Sequence, residues 1–323
     1  MSMPEVLITR QLSTEVIEKL SQTCTLDIWN KDEAIPYDEL LKRVVGKAGL
    51  LCLLTDNVDA KVIEAGASTL KIISTMSVGF DHINIEECVE RGISVGYTPD
   101  VLTDSVADLT IGLMISSGRR ITEATAAAKQ GLWGPWSPYW MTGNDLSHAT
   151  VGIVGMGRIG ATVAKRLQGF DCNVLYTARS PKPEIDSLYG TQFTELNELL
   201  EFSDFVTLHA PLTAETKLMM NTERFGKMKP NAILINTSRG GLIDQNALYD
   251  ALASKNIYGA ALDVSSPEPL PTDSLLFKLP NCLVLPHIGS ASVMTRQKMG
   301  LLAAENLLAG LNGTELPERV PTS

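Results

Sequence analysis

A chain of 323 residues with 44% hydrophobic content is long enough for two ordinary domains, each with its own buried core. Its formal charge of −10, with no cluster of lysine and arginine, argues against a nucleic-acid or anionic-membrane partner. No apolar run approaches the roughly 20 residues that span a bilayer, and Met1-Ser2-Met3-Pro4-Glu5 lacks the basic and apolar parts of a signal peptide.

The first hundred residues alternate β-rich and amphipathic stretches. Strands are predicted at Val6–Thr9, Leu26–Trp29, Ala48–Leu54, Leu70–Met76 and Ile93–Tyr97. Helices are predicted at Thr14–Ser21, Tyr37–Val45, Ala60–Ala67 and Ile85–Arg91. Such alternation implies an α/β unit with a parallel sheet and helices on both faces. Pro99 breaks the pattern, and an apolar helix follows from Asp104 to about Gly118. Its low polarity predicts packing between domains or between subunits. Three of the four tryptophans then fall within eight residues, Trp133, Trp136 and Trp140, beside Tyr139. Two readings stand for this segment: a loop whose rings plug the domain junction, or an aromatic dimer contact.

A strand-like run, Thr150–Val154, leads into Gly155-Met156-Gly157-Arg158-Ile159-Gly160, with Ile159, Val163 and Leu167 then spaced on one helical face. This is the Rossmann dinucleotide fingerprint. The first glycine permits the tight turn, the second lets backbone approach a pyrophosphate, and the third lets helix pack on strand. The helix N-terminus adds unpaired N–H groups and a partial positive charge. Further strands are predicted at Asn173–Thr177, Phe205–His209, Ala232–Asn236, Gly259–Val264 and Cys282–Pro286, with a last helix from Ala291 to about Leu311. Two α/β units account for the chain, the dinucleotide fold being the second.

Cofactor choice is read at the end of the second strand after Val151. No Asp or Glu stands between Asp171 and Glu184, where a carboxylate would take the ribose 2′-OH of NAD. Arg179, Ser180 and Lys182 supply two cations and a hydroxyl instead. An adenosine 2′-phosphate needs charge-assisted donors and is repelled by a carboxylate, so NADPH is expected over NADH. An ordinary solvated loop has the same composition.

Cys24, Cys52, Cys88, Cys172 and Cys282 are scattered singly, which suits reduced thiols in a cytoplasmic protein. None of the four histidines stands at ligand spacing from a cysteine or another histidine, so no metal site is expected. Pro321-Thr322-Ser323 is not a peroxisomal address.

Three segments, each after a predicted strand of the second unit, carry candidate chemistry: Asn236-Thr237-Ser238-Arg239-Gly240, Asp263 to Pro271 around Glu268, and Pro286-His287-Ile288-Gly289-Ser290. Singly, an Arg, a Glu and a His are more often solvated or structural. Behind a nucleotide fold they form the set that reduces a 2-oxo acid. A guanidinium grips a carboxylate in a bidentate fork, an imidazolium protonates the carbonyl oxygen as hydride arrives, and a carboxylate orients the imidazole and favours its charged form.

With these residues the chain resembles the D-2-hydroxyacid dehydrogenases, closest to the animal glyoxylate/hydroxypyruvate reductases. The likeness runs over nearly the whole chain. It is carried also by Ser77-Val78-Gly79-Phe80-Asp81-His82, Gly96 to Asp104 and Gly157-Arg158-Ile159-Gly160. It implies two parallel-sheet domains, Rossmann-like and flavodoxin-like, with the cofactor domain inserted in the substrate domain. Residues 1–100 with 291–323 would form the substrate-binding lid and 101–290 the NAD(P)-binding domain, closing by hinge motion. The implied catalytic set is Arg239 on the substrate, His287 as proton donor and Glu268 as its partner. Val78, Gly79, Ser290 and Trp140 join Arg239 and His287 as substrate-binding residues. The aromatic segment would reach a partner subunit's active site, implying a homodimer and a small substrate. Gly155, Gly157, Arg158, Ile159, Gly160, Arg179, Ser180, Lys182, His209, Pro211, Thr237, Asp263 and Gly289 fall to the cofactor. His209, in Leu208-His209-Ala210-Pro211, is a form less common in the closest reductases; His82 and His148 are left structural. The expected reaction is NADPH-linked reduction of hydroxypyruvate to D-glycerate and glyoxylate to glycolate. The alternatives are a 3-phosphoglycerate dehydrogenase-type enzyme and a non-catalytic NAD(H)-sensing corepressor or scaffold.

Overall fold

The computed structural model describes residues 3–321. Met1, Ser2, Thr322 and Ser323 lie outside the described residues, and with them parts of the two terminal readings above. The chain divides into two compact units, Met1–Leu102 with Ala291–Ser323, and Thr103–Ser290. In sequence, the second is inserted in the first.

Five parallel strands build the first unit: β1 (Glu5–Ile8), β2 (Thr25–Ile28), β3 (Gly49–Cys52), β4 (Ile72–Thr75) and β5 (Ser94–Gly96), in the order β2-β1-β3-β4-β5. β3 and β4 are buried along their whole length, so β3 reads as a continuous rather than an alternating apolar run, while β4 buries Ser74 and Thr75 as well. One face is covered by the helices Tyr37–Arg43, Ala60–Gly66 and Ile85–Glu90, around Leu7, Leu50, Ile63 and Ile73. Thr14–Ser21 and the terminal helix Val293–Asn312 pack together, the latter on β3 and β4. Gly310 and Gly49 permit that approach, since a Cβ at Gly310 would lie 2.6 Å from Ile72.

Seven parallel strands build the second unit: β6 (Thr150–Val154), β7 (Asn173–Thr177), β8 (Gln192–Phe193), β9 (Phe205–Leu208), β10 (Ile233–Asn236), β11 (Gly259–Leu262) and β12 (Cys282–Val284). Their order is β12-β11-β10-β9-β6-β7-β8, so strand order reverses beside β6. In such sheets the crevice outside the carboxyl ends of the strands at that reversal is where ligands bind. The fold is therefore α/β, with two parallel-only sheets of Rossmann-like and flavodoxin-like design.

Two expectations change. The apolar helix, Thr103–Gly118, packs on the Arg158–Leu167 helix and against β10 and β11, so its low polarity is explained inside the second unit. The rings of the aromatic segment are not buried among the described residues: Trp133, Trp136 and Tyr139 are 74%, 86% and 85% exposed, and Trp140 is 45% exposed. The segment ends where Asn144 donates to the Asn231 carbonyl and to that of Gly118, beyond the amino end of β10. No described helix is long and apolar enough to cross a membrane.

Candidate active site

The glycine turn follows β6. Gly155 has φ +103°, open to glycine and strained for other residues, and a Cβ there would sit 2.7 Å from the backbone of His209 and Ala210. A Cβ on Gly160 would lie 2.2 Å from the Gly155 carbonyl oxygen, so helix and turn touch backbone to backbone. Around Gly157 the space is open, with nothing within 4 Å of an added Cβ. Gly157 is exposed and precedes the Arg158–Leu167 helix as its N-cap. A tight first glycine, an open second and a packed third are the cradle a pyrophosphate requires, so these residues fit a nicotinamide dinucleotide. Arg158 is exposed and Ile159 half-buried at the helix start.

Beyond β7, the segment with Arg179, Ser180 and Lys182 is exposed. His209 follows β9, its Nε2 3.0 Å from the Thr207 hydroxyl, and desolvation pushes its ionisation down to about 4. Pro211 is exposed two residues on.

Arg239, Glu268 and His287 follow β10, β11 and β12, three adjacent parallel strands, so all three leave the same edge of the sheet. The Arg239 turn is fastened by Asn236, which is fully buried at the end of β10. Its Nδ2 donates to the Arg239 carbonyl at 2.9 Å and its Oδ1 accepts from the Ser238 N–H at 3.0 Å. Ser238 donates to the Ala210 carbonyl at 2.6 Å, tying this turn to the loop that carries His209 and Pro211. Thr237 is buried, with its hydroxyl 3.1 Å from that of Thr110.

Glu268 Oε1 pairs with His287 Nδ1. His287 has φ +55°, an uncommon conformation for a side-chain-bearing residue. Asp263 holds it there: its carboxylate accepts from the N–H groups of Ile288 and Gly289, both at 2.7 Å. Burial pushes the Asp263 carboxyl up, against those two hydrogen bonds and the nearby His287. A Cβ on Gly289 would come 3.0 Å from Asp263 Oδ2, so glycine gives this close approach room. Ser290 is buried next to it.

Two contributors carry no signal of their own in the sequence. Asn236 stands there only as part of a motif, and Gln245 belongs to none. Gln245 opens the Gln245–Ala253 helix; its Nε2 donates to the Ser266 carbonyl and its Oε1 accepts from the Ser266 N–H at 3.4 Å. This double contact fixes the loop that presents Glu268. Gly240 lets the Arg239 turn lie against it, since a Cβ there would be 2.0 Å from Ser265.

Val78 and Gly79 belong to the first unit, in the turn after β4. Ser77 donates to the Gly79 carbonyl at 2.7 Å, and its hydroxyl lies 2.8 Å from that of Thr75. His82 Nε2 lies 3.1 Å from the same Thr75 hydroxyl, while His148 is exposed just before β6. Trp140 is 45% exposed, in the segment that ends at Asn144 beyond the amino end of β10.

Comparison with known proteins follows the same lines. Residues 111–289 match the family described as D-isomer specific 2-hydroxyacid dehydrogenase, NAD binding domain. The chain is 47% identical over 319 residues to a human glyoxylate reductase/hydroxypyruvate reductase, covering 98% of this chain and 97% of that protein. A crystal structure of a protein from Thermus thermophilus superimposes with a TM-score of 0.92 at 45% identity, covering 98% and 100% of the two chains. An NADPH-dependent glyoxylate/hydroxypyruvate reductase from Sinorhizobium meliloti, in complex with NADP and malonate, gives 0.85 at 31% identity, covering 99% and 97%. The chain belongs to the D-isomer specific 2-hydroxyacid dehydrogenase family and is an NAD(P)-dependent oxidoreductase.

Proposed function

We propose that this enzyme reduces small 2-oxo acids, hydroxypyruvate to D-glycerate and glyoxylate to glycolate, with NADPH as its preferred cofactor. The observation that carries the reading is the Glu268–His287 pair on the same sheet edge as the Asn236-fastened Arg239 turn. The names of the human and Sinorhizobium relatives support the substrate class, and the latter's NADP supports the cofactor.

A dinucleotide held by its pyrophosphate at the glycine turn would supply the hydride for the substrate's keto carbon. Gly155, Gly157, Arg158, Ile159 and Gly160 would hold its pyrophosphate, and Thr237, His209, Pro211, Asp263 and Gly289 would line its path. Arg179, Ser180 and Lys182 would take the 2′-phosphate. Arg239 grips the carboxylate and steadies the keto oxygen. Because Nδ1 of His287 faces Glu268, Nε2 is the nitrogen that hands its proton to that oxygen. Glu268 keeps the ring oriented. Ser290 and the backbone donors of Val78 and Gly79 complete the proposed substrate contacts.

We further infer a homodimer in the cytoplasm. Trp133, Trp136 and Tyr139 present three large rings to solvent, a patch that soluble monomers seldom expose. A partner subunit would cover it, with Trp140 bounding the partner's substrate pocket. All five cysteines are free thiols, as a reducing compartment requires.

The test is initial-rate oxidation of NADPH and NADH with hydroxypyruvate and glyoxylate in turn. NADPH-linked turnover of both acids supports the reading. NADH preference would overturn the cofactor, and no turnover with either would favour a nucleotide-sensing scaffold.

A further inference from the structure

Tyr176, in β7, is fully buried, with its ring edge-on to Phe193 at a centroid distance of 5.6 Å. Its hydroxyl emerges beyond the end of the strand. There it accepts the backbone N–H of Lys182 at 2.6 Å and donates to Asp186 Oδ2 at 3.2 Å; burial and then Asp186 push the phenol's ionisation up, against the Lys182 hydrogen bond. The hydroxyl of Thr191 donates to the other Asp186 oxygen at 2.7 Å. Tyr176 thus catches its own chain six residues on and closes Thr177 to Pro181 into a loop. The start of that loop is tied to the glycine turn, because the Gly155 N–H donates to the Thr177 carbonyl at 2.9 Å.

We propose that Tyr176 is a specificity-determining residue: its hydroxyl holds the Arg179–Lys182 segment in the shape that receives an adenosine 2′-phosphate. This rests on the NADPH reading above. Long cationic side chains on an untied loop lose conformational freedom when they close on a phosphate, and that cost weakens binding. Tying Lys182 to Tyr176 meets part of it in advance. The same hydroxyl engages Asp186, a carboxylate four residues beyond Lys182 whose free charge would oppose a phosphate dianion. NADH, with no 2′-phosphate, gains nothing from either effect. Tyr176 touches no reacting atom and acts through Lys182 and Asp186.

The test is Tyr176→Phe in the full chain, which keeps the ring against Phe193 and deletes only the hydroxyl. Dissociation constants for NADPH, NADH and adenosine 2′,5′-bisphosphate are measured by calorimetry, with no turnover involved. Loss of the tie that orders the loop in advance predicts about tenfold weaker NADPH and bisphosphate binding, with NADH changed less than about twofold. Equal weakening of NADPH and NADH, or no weakening at all, would overturn the role of Tyr176 while leaving the cofactor reading intact. A wild-type protein that binds NADH as tightly as NADPH, and the bisphosphate not at all, would overturn both.

Discussion

Nδ1 of His287 meets Oε1 of Glu268 across 19 residues of chain, and two carboxylates share the work of placing the imidazole. Glu268 grips the ring, while Asp263 grips the peptide that follows it. The side chains of His287 and Glu268 are 24% and 35% exposed, so solvent screens the pair. Its value lies in orientation more than in attraction. Replacing Glu268 by Gln is expected to lower kcat for hydroxypyruvate without changing the dissociation constant for NADPH. Steady-state rates beside a cofactor titration check this, and an unchanged kcat would remove Glu268 from the mechanism.

Arg239 is expected to tolerate neither Ala nor Lys. Two charge-assisted hydrogen bonds, each worth about 1.5–3 kcal/mol, correspond to a loss of at least about 100-fold in kcat/KM in Arg239→Ala. Lys keeps the charge but not the planar fork, so Arg239→Lys recovers only part of that. A lysine variant with wild-type kcat/KM would show that the fork is not used.

Gln245→Ala releases the Ser266 peptide and lets the Glu268 loop drift. About tenfold lower kcat/KM is expected, with a far smaller effect when Glu268 is already Gln, since residues acting through one another are not additive. Equal losses in both backgrounds would mean that Gln245 supports the fold alone.

The desolvated, half-buried ring of His209 makes stability depend on pH. Its folded ionisation, about 4, lies below the ordinary histidine value of about 6.5, so the unfolded chain binds more protons between those values. Stability contributed by neutral His209 is therefore complete above about pH 6.5, falls as pH drops toward 4, and levels off below. The full difference corresponds to about 3 kcal/mol, reduced because the residue is only half-buried. Thermal unfolding of wild type and His209→Gln from pH 4 to 8 should show the acid-side loss shrinking in the variant. Parallel curves would exclude His209 as its source.

Replacing Trp133, Trp136 and Tyr139 together by Ser removes exposed rings that make few contacts within the chain. Sedimentation is expected to show a monomer with unchanged far-UV circular dichroism. A variant that stays dimeric would place the interface elsewhere.

Much of this architecture is legible in the sequence because parallel strands buried on both faces, such as β3 and β11, are apolar along nearly their whole length. The predicted strands overshoot by a residue or two where apolar character continues into the turn, as at Met76 and Val264. β8 is only two residues long, too short to show any period. The helices Ile121–Lys129, Leu196–Phe202 and Gln245–Ala253 are not evident in the sequence, the first because an alanine-rich run carries little amphipathic contrast. Within the site, the glycine turn announces itself through backbone demands that only glycine meets. Asn236, Gln245 and Tyr176 do not, because each works by one side chain reaching a nearby backbone group. No periodicity or composition records that, and only coordinates bring Gln245 to Ser266 or Tyr176 to Lys182.

The most direct measurement compares wild type with His287→Gln, following NADPH oxidation with hydroxypyruvate at saturating cofactor. Rapid wild-type turnover is predicted, with the variant slowed by about 10²–10⁴-fold, the usual worth of a positioned general acid, and NADPH still bound. A variant as fast as wild type would contradict His287 as the proton donor, and with it the reading of this sheet edge as the reducing site.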